Sequence, residues 1–140
     1  MPQGQKKARR IESRTVLLLE REGKFAVAQR PRRGLLAGLW ELPNYLGEKT
    51  RREVLALCRA AGLSVKSARR MNAARHIFTH IEWNLSGWHV RLADTPKETA
   101  RESPAVYDAS PLPPLTWATQ KELSDTYSIP AAFHAYLPAP

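Results

Sequence analysis

Two apolar segments near the N-terminus constrain the fold of this chain most strongly. Residues 15–20 (TVLLLE) form a short apolar run that predicts a buried strand. Residues 25–29 (FAVAQ) alternate apolar with small or polar side chains, and Glu22, Gly23 and Lys24 predict a turn between the two. Two strands joined by so short a link predict an antiparallel β-hairpin, so the fold must contain a sheet.

A single amphipathic helix is predicted after this hairpin. Thr50 and Glu53 match a capping box, in which each residue hydrogen-bonds the other's backbone N–H. The apolar positions of residues 54–61 follow one helical stripe, and Gly62 is placed to end the helix. We therefore expect a helix from about residue 51 to residue 61.

Further strands are predicted at residues 64–69, 74–78 and 81–92. In the last of these the alternation changes phase near Gly87, which predicts a β-bulge at that glycine. Together with the hairpin and the helix, these strands indicate an α+β arrangement around one sheet.

The C-terminal part of the chain predicts a loop and two short helices. Residues 94–114 are polar and rich in proline, which predicts a long loop. Thr119 and Glu122 repeat the capping-box pattern. A last helix is predicted from Ser128 through Tyr136.

Charge is the most informative bulk property. The chain has 140 residues, enough for one compact domain, and 22 Lys and Arg against 13 Asp and Glu give a net charge of +9. Such a domain is expected to bind polyanions, nucleic acid among them, although a basic protein without such a partner remains the alternative. Residues 1–12 predict a basic tail or interdomain linker, and residues 13–140 the domain.

The sequence carries no feature of a secreted or membrane protein. Cys58 is the only cysteine, so the chain cannot form an internal disulfide. The N-terminus lacks the apolar segment of a signal peptide, and the apolar runs are too short to span a bilayer. We expect a cytoplasmic monomer that does not contact membranes. The four tryptophans are expected in the core or on sheet faces: Trp40, Trp83, Trp88 and Trp117.

Three segments carry a family resemblance. They are residues 29–43 (QRPRRGLLAGLWELP), residues 75–81 (RHIFTHI), and Trp117 followed by residues 127–130 (YSIP). In order and spacing they resemble the C-terminal domain of MutY-type adenine DNA glycosylases, over nearly the whole chain. The resemblance implies a Nudix-like α+β fold, with a mixed central sheet flanked by a degenerate Nudix helix and a C-terminal helix.

The helix departs from the pattern of hydrolytic Nudix proteins, R-E-U-x-E-E-x-G-U, where U is aliphatic. With its Gly-Leu pair at residues 62–63, the metal-binding glutamate positions fall on Ala56, Arg59 and Ala60. Residues 54–62 contain no acid in any register. Hard cations need oxygen ligands, and an arginine repels them. We therefore expect no catalytic residue, metal or other cofactor in this chain.

The resemblance implies that Phe78, Thr79 and His80 contact 8-oxoguanine. Oxidation at C8 turns N7 of guanine from an acceptor into a donor, and the Thr79 hydroxyl can accept that hydrogen. Phe78 and His80 could stack on or wedge beside a base. The alternative places Phe78 in the core and makes His80 a strand cap. A zinc site at His76 and His80 would lack further ligands.

Four arginines are candidate contacts to DNA phosphates, which position a duplex without reading its sequence. They are Arg30, Arg32 and Arg33 before the glycine-rich segment, and Arg75 before Phe78. For any one of them, a solvated charged surface is the alternative.

The resemblance also implies a larger parent enzyme. A complete MutY protein removes adenine opposite 8-oxoguanine with a separate glycosylase domain that carries a 4Fe-4S cluster. One cysteine cannot hold such a cluster, so this chain would be the lesion-recognition domain alone. Its partners would be double-stranded DNA containing 8-oxoguanine:adenine and the glycosylase domain. Two other functions stay open: a noncatalytic Nudix-like domain that binds a nucleotide or a protein, and an active Nudix hydrolase.

Overall fold

Strand β1 (Arg10–Arg21) runs through the centre of a seven-stranded sheet in the computed structural model, which describes residues 9–94 and 112–138. The other strands are β2 (Lys24–Gln29), β3 (Trp40–Glu41), β4 (Asn44–Leu46), β5 (Val65–Ile77), β6 (Ile81–Leu92) and β7 (Thr116–Ala118). The helices are α1 (Arg51–Ala60), α2 (Gln120–Asp125) and a C-terminal 3₁₀ helix (Ala131–Tyr136).

The sheet is mixed. Its strands follow the order β3-β2-β1-β6-β5, with β4 also paired to β1 and β7 to β2. Strands β1 and β6 are parallel from the pair Arg10–Ile81 to the pair Glu20–Arg91, and the other pairs are antiparallel. The predicted α+β fold around one mixed sheet is confirmed.

The predicted β1–β2 hairpin is confirmed, and the geometry of its turn explains why a glycine stands at position 23. Arg21 pairs with Lys24, so Glu22 and Gly23 form a two-residue turn. Their φ angles are 52° and 76°. A type I′ turn requires positive φ at both positions, which glycine adopts without steric cost.

Strand β1 begins earlier than its apolar run. Its first three residues, from Arg10, lie in the segment predicted as a linker, because they pair with β6 from Ile81 onward. Polar residues on a strand that pairs with a distant partner give no local signal of that pairing.

The sheet buries both of its faces. Face A carries Val16, Leu18, Trp83 and Leu85, which pack under α2 and the 3₁₀ helix. Face B carries another set, which packs under α1 together with Val54 and Cys58: Leu17, Leu19, Trp88 and Val90. The apolar residues of β6 change phase because the first half of the strand contributes Trp83 and Leu85 to face A, and the second half contributes Trp88 and Val90 to face B. Trp83 and Trp88 are buried, and Trp40 and Trp117 are half-buried against the two clusters, as predicted.

The predicted bulge at Gly87 is wrong in its position. Strand β6 keeps continuous register with β1, whereas β5 has two register shifts, one between Val65 and Ser67 and one opposite Gly87, between Met71 and Ala74. The two strands predicted on either side of the second shift are one strand. Gly87 has another role: a Cβ atom there would lie 2.5 Å from Cε1 of Tyr136. The glycine therefore lets the 3₁₀ helix approach the sheet.

The predicted helix boundaries are confirmed where caps exist. Both capping boxes form, at Thr50 and at Thr119, and Gly62 has a φ angle of 81° after α1. The last helix begins at Ala131 instead of Ser128, because Ser128 has a left-handed φ angle of 47° and Pro130 precedes the helix in an extended conformation.

Most of the predicted loop over residues 94–114 lies outside the described residues. In the described parts of the chain, no helix is long and apolar enough to cross a membrane.

Replacement of Gly87 by alanine tests the packing of the 3₁₀ helix. The Tyr136 ring is buried and its hydroxyl donates to the Asn72 carbonyl at 2.8 Å, so it cannot move aside without losing contacts. We expect Gly87→Ala to lower the free energy of unfolding in urea by about 1–3 kcal/mol, the usual cost of overpacking. Asn84→Ala, exposed on the same strand, is the control. Gly87→Ala and Tyr136→Leu together should cost less than their sum, and additive losses would contradict the clash.

Candidate nucleic-acid interface

The hairpin between β5 and β6 presents the predicted lesion-contacting residues at its tip. Ile77 and Glu82 form the last strand pair, and the N–H of Phe78 donates to the carbonyl of Ile81 at 2.7 Å. Thr79 and His80 lie between these positions, and both side chains are exposed. The Thr79 hydroxyl and the His80 imidazole are therefore accessible to a ligand.

Phe78 joins the tip to the core. Its ring meets Trp83 edge-on with centroids 5.0 Å apart and meets His76 in the same way at 4.7 Å. Trp83 is buried, whereas Phe78 remains half-buried. Phe78 thus packs against the core, as the alternative interpretation expected, and keeps part of its surface exposed.

His80 also connects the tip to β1. Its carbonyl accepts a hydrogen bond from the N–H of Arg10 at 3.1 Å, so the strand cap involves the backbone and leaves the imidazole exposed. Among the described residues, no group of three or more His, Cys, Asp or Glu side chains is placed to hold a metal ion.

The arginines predicted to contact phosphates have different environments. The Arg30 guanidinium donates to Oε1 of Glu41 at 2.6 Å and to the Leu35 carbonyl at 2.9 Å, and its side chain is only 14% exposed. It also lies 5.7 Å from the centroid of the Trp83 ring. Arg30 therefore holds its own loop in place.

The other three candidates are exposed. Arg32 and Arg33 lie on the loop that Arg30 anchors. Arg75 is next to the tip, with its guanidinium 3.8 Å from Glu82. The structure also places Arg9 and Arg10 beside the tip, although the sequence predicted both arginines in the basic tail. Only the β1–β6 pairing, which no local pattern signals, places them there.

Helix α1 does not fit a divalent cation. Ala56, Arg59 and Ala60, at the glutamate positions of a hydrolytic helix, are exposed and offer no carboxylate. The acids nearest to these positions in the sequence have other partners. Glu53 forms the capping box with Thr50, and Glu48 forms an ion pair with Arg70 at 2.8 Å.

The thiol of Cys58 is not an available nucleophile. It lies on the buried face of α1, and burial raises its pKa to about 11. A buried thiol with a raised pKa carries little thiolate at neutral pH, and the thiolate is the reactive form.

Comparison with known proteins assigns the family. A model described as the NUDIX domain matches residues 14–139. The chain belongs to the NUDIX domain family. Among curated proteins, none matches this chain.

Solved structures show the same fold. The C-terminal domain of mouse MUTYH, crystallised in complex with human PCNA, superposes with a TM-score of 0.65 at 24% identity, over 89% of this chain and 86% of that chain. The MutT NUDIX hydrolase of Burkholderia pseudomallei gives 0.59 at 17% identity, over 91% and 96%. The E. coli ORF135 protein gives 0.55 at 22% identity, over all of both chains. The predicted NUDIX-like fold is therefore confirmed, and identities this low show the fold alone.

The capping box of α1 predicts a pH-dependent stability. The backbone N–H of Thr50 hydrogen-bonds the Glu53 carboxylate and holds the pKa of Glu53 below its ordinary value. A carboxylate with a lowered folded pKa adds stability above its unfolded pKa and loses it as pH falls through the folded value. Thermal unfolding should therefore show the wild type more stable than Glu53→Gln at pH 7. The difference should shrink below about pH 4.3, the ordinary glutamate pKa. A difference independent of pH would contradict this role of the charge.

Arg30 and Arg32 form a matched pair for mutation. Arg30→Ala leaves Glu41 poorly exposed and without its ion-pair partner, so we expect a loss of about 2–3 kcal/mol in the free energy of unfolding. Arg32→Ala, at an exposed position, should change it by less than about 0.5 kcal/mol. Urea unfolding of both variants tests this, and equally small effects would show that the Arg30 ion pair is not structural.

Proposed function

We propose that this domain recognises 8-oxoguanine opposite adenine in double-stranded DNA, as the lesion-recognition module of a MutY-type adenine DNA glycosylase. The observation that carries the proposal is the β5–β6 tip. It holds an exposed hydroxyl and an exposed imidazole on a hairpin anchored by an aromatic contact to the core. The fold shared with the MUTYH C-terminal domain supports the same assignment.

The Thr79 hydroxyl has the chemistry that separates the lesion from guanine. Guanine presents an acceptor at N7, whereas 8-oxoguanine presents an N–H donor there and a carbonyl at C8. A hydroxyl accepts one hydrogen bond while donating another, so Thr79 can pair with the altered edge. His80 beside it offers a ring for stacking or a further hydrogen bond.

The tip is held in place before any ligand arrives. Phe78 contacts Trp83, and the backbone of Arg10 bonds His80. A contact surface that is already ordered loses less conformational entropy on binding, which favours affinity and selectivity.

Phosphate contacts would come from the exposed arginines. Arg32 and Arg33 lie on one loop and Arg75 at the tip, and Trp83 joins these two regions through Arg30 and Phe78. Arg30 contributes by positioning the loop. The positive net charge of the chain favours the approach of a duplex.

The catalytic step belongs to another part of the proposed enzyme. In this proposal a separate glycosylase domain with a 4Fe-4S cluster flips and removes the adenine, while this monomeric domain binds the lesion on the opposite strand. The parent enzyme would act in the cytoplasm of a bacterium. The absence of carboxylates at Ala56, Arg59 and Ala60, the glutamate positions of a hydrolytic helix, supports a binding role over nucleotide hydrolysis.

Replacement of Thr79 tests the lesion contact. We expect amide chemical shifts in residues 75–81 to respond more strongly to a duplex with 8-oxoguanine opposite adenine than to one with guanine. Thr79→Val keeps the shape and removes the hydroxyl, so it should abolish that difference without unfolding the domain. Thr126→Val, at an exposed position beyond α2, is the matched control and should retain the difference.

Two outcomes would redirect the assignment. Equal responses to both duplexes over a broad basic surface would show that this domain alone does not read the lesion. Magnesium-dependent hydrolysis of free oxidised nucleotides would establish the hydrolase alternative, and tight binding of a nucleotide without hydrolysis would establish the noncatalytic one.

A further inference from the structure

Three exposed arginines surround the β5–β6 tip: Arg10 is the first residue of β1, Arg9 directly precedes that strand, and Arg75 lies near the end of β5. The side chains of Arg9, Arg10 and Arg75 are 47%, 67% and 64% exposed. Arg10 pairs with Ile81 across the sheet, and its N–H bonds the His80 carbonyl. The start of β1 is therefore bound directly to the tip.

The three arginines lie on opposite faces of the sheet. Arg10 contacts Glu12 at 3.0 Å, and Glu12 in turn accepts a hydrogen bond from Nε1 of Trp83, so Arg10 lies on face A. Arg9 and Arg75 each lie 3.8 Å from Glu82, whose side chain points to face B because it is adjacent to Trp83 along β6. The tip thus has cationic groups on both sides.

These arginines keep donors free for a ligand. A guanidinium carries five N–H donors, and the contacts of Arg9 and Arg75 with the Glu82 carboxylate are long, at 3.8 Å, so each guanidinium keeps further donors available. Arg14 shows the contrast, since it is mostly buried, bonds Glu12 and Asn44, and lies over the Trp83 ring. With Arg14 included, four arginines share the carboxylates of Glu12 and Glu82, so the surroundings of the tip are net positive.

We propose that Arg10 on face A, and Arg9 and Arg75 on face B, bind the backbone phosphates on either side of the nucleotide contacted by the tip. Phosphates flank every nucleotide in a strand, and a protrusion with cations on both faces matches that arrangement. The proposal rests on the proposed function in one respect, that the tip contacts a nucleotide of a duplex. It requires no discrimination between guanine and 8-oxoguanine.

The salt dependence of binding tests the proposal. The slope of log affinity against log salt is negative, and each phosphate contact that is lost reduces the magnitude of this slope by about 0.9. We expect Arg10→Ala and Arg75→Ala each to reduce the magnitude by about that amount, and the double variant by about twice as much. Fluorescence anisotropy of a labelled duplex, from low to moderate salt, measures it. The ratio of affinities for lesion and undamaged duplexes should stay unchanged.

Arg59→Ala is the matched control for net charge. Arg59 lies in the last turn of α1, shortly before β5 begins, whereas the tip follows the far end of that 13-residue strand. If Arg59→Ala reduces the magnitude of the slope as much as Arg10→Ala or Arg75→Ala, the arginines act only through net charge and the proposal is wrong. Unchanged slopes in the double variant, or no binding of either duplex at low salt, would also overturn it. Unchanged urea unfolding of the variants shows that the fold is retained.

The two proposals fail in different ways. If the wild type binds lesion and undamaged duplexes equally, while Arg10→Ala and Arg75→Ala still reduce the magnitude of the slope, lesion recognition fails and the phosphate contacts stand. If Thr79→Val abolishes discrimination and the arginine variants keep the wild-type slope, the phosphate contacts fail and lesion recognition stands.

Discussion

The burial of Trp83 in face A organises the proposed interface. Its ring meets the edge of Phe78 at the tip, and the guanidinium groups of Arg14 and Arg30 lie 5.0 and 5.7 Å from its centroid. Its Nε1 donates to Glu12. A large buried aromatic side chain with a satisfied polar atom has one low-energy position. Trp83 therefore holds the tip and the loop that carries Arg32 and Arg33 in a fixed relative position.

The parallel pairing of β1 with β6 supplies the second constraint. It places the backbone of Arg10 against His80 at one end of the sheet. In the middle of β1, the buried hydroxyl of Thr15 donates to the Gly47 carbonyl at 2.7 Å and accepts from the Lys49 N–H at 2.8 Å, which fixes the segment that leads into α1. The position of α1 in the fold is therefore held by hydrogen bonds to the segment that leads into it, whichever side chains the outer surface of α1 carries.

Local features of the fold could be predicted because their causes lie within a few residues. The Thr50 capping box, the Glu22–Gly23 turn and the end of α1 at Gly62 each depend on adjacent backbone groups. Gly87 was misinterpreted as a bulge because the reason for it, the Tyr136 ring, is distant in sequence. The division of β5 into two strands has the same origin, since only pairing with β6 shows that the chain continues through its register shift.

By itself, the sequence determined the residues at the tip, the absence of carboxylates from residues 54–62 and the positive charge of the domain, because these depend only on residue identity and order. Tertiary structure decided which arginines are accessible. Arg30, expected at a phosphate, is held by Glu41 and lies over Trp83, whereas Arg10, expected in a tail, lies beside the tip. Both outcomes depend on contacts between segments far apart in the chain, and such contacts leave no periodic pattern in either segment.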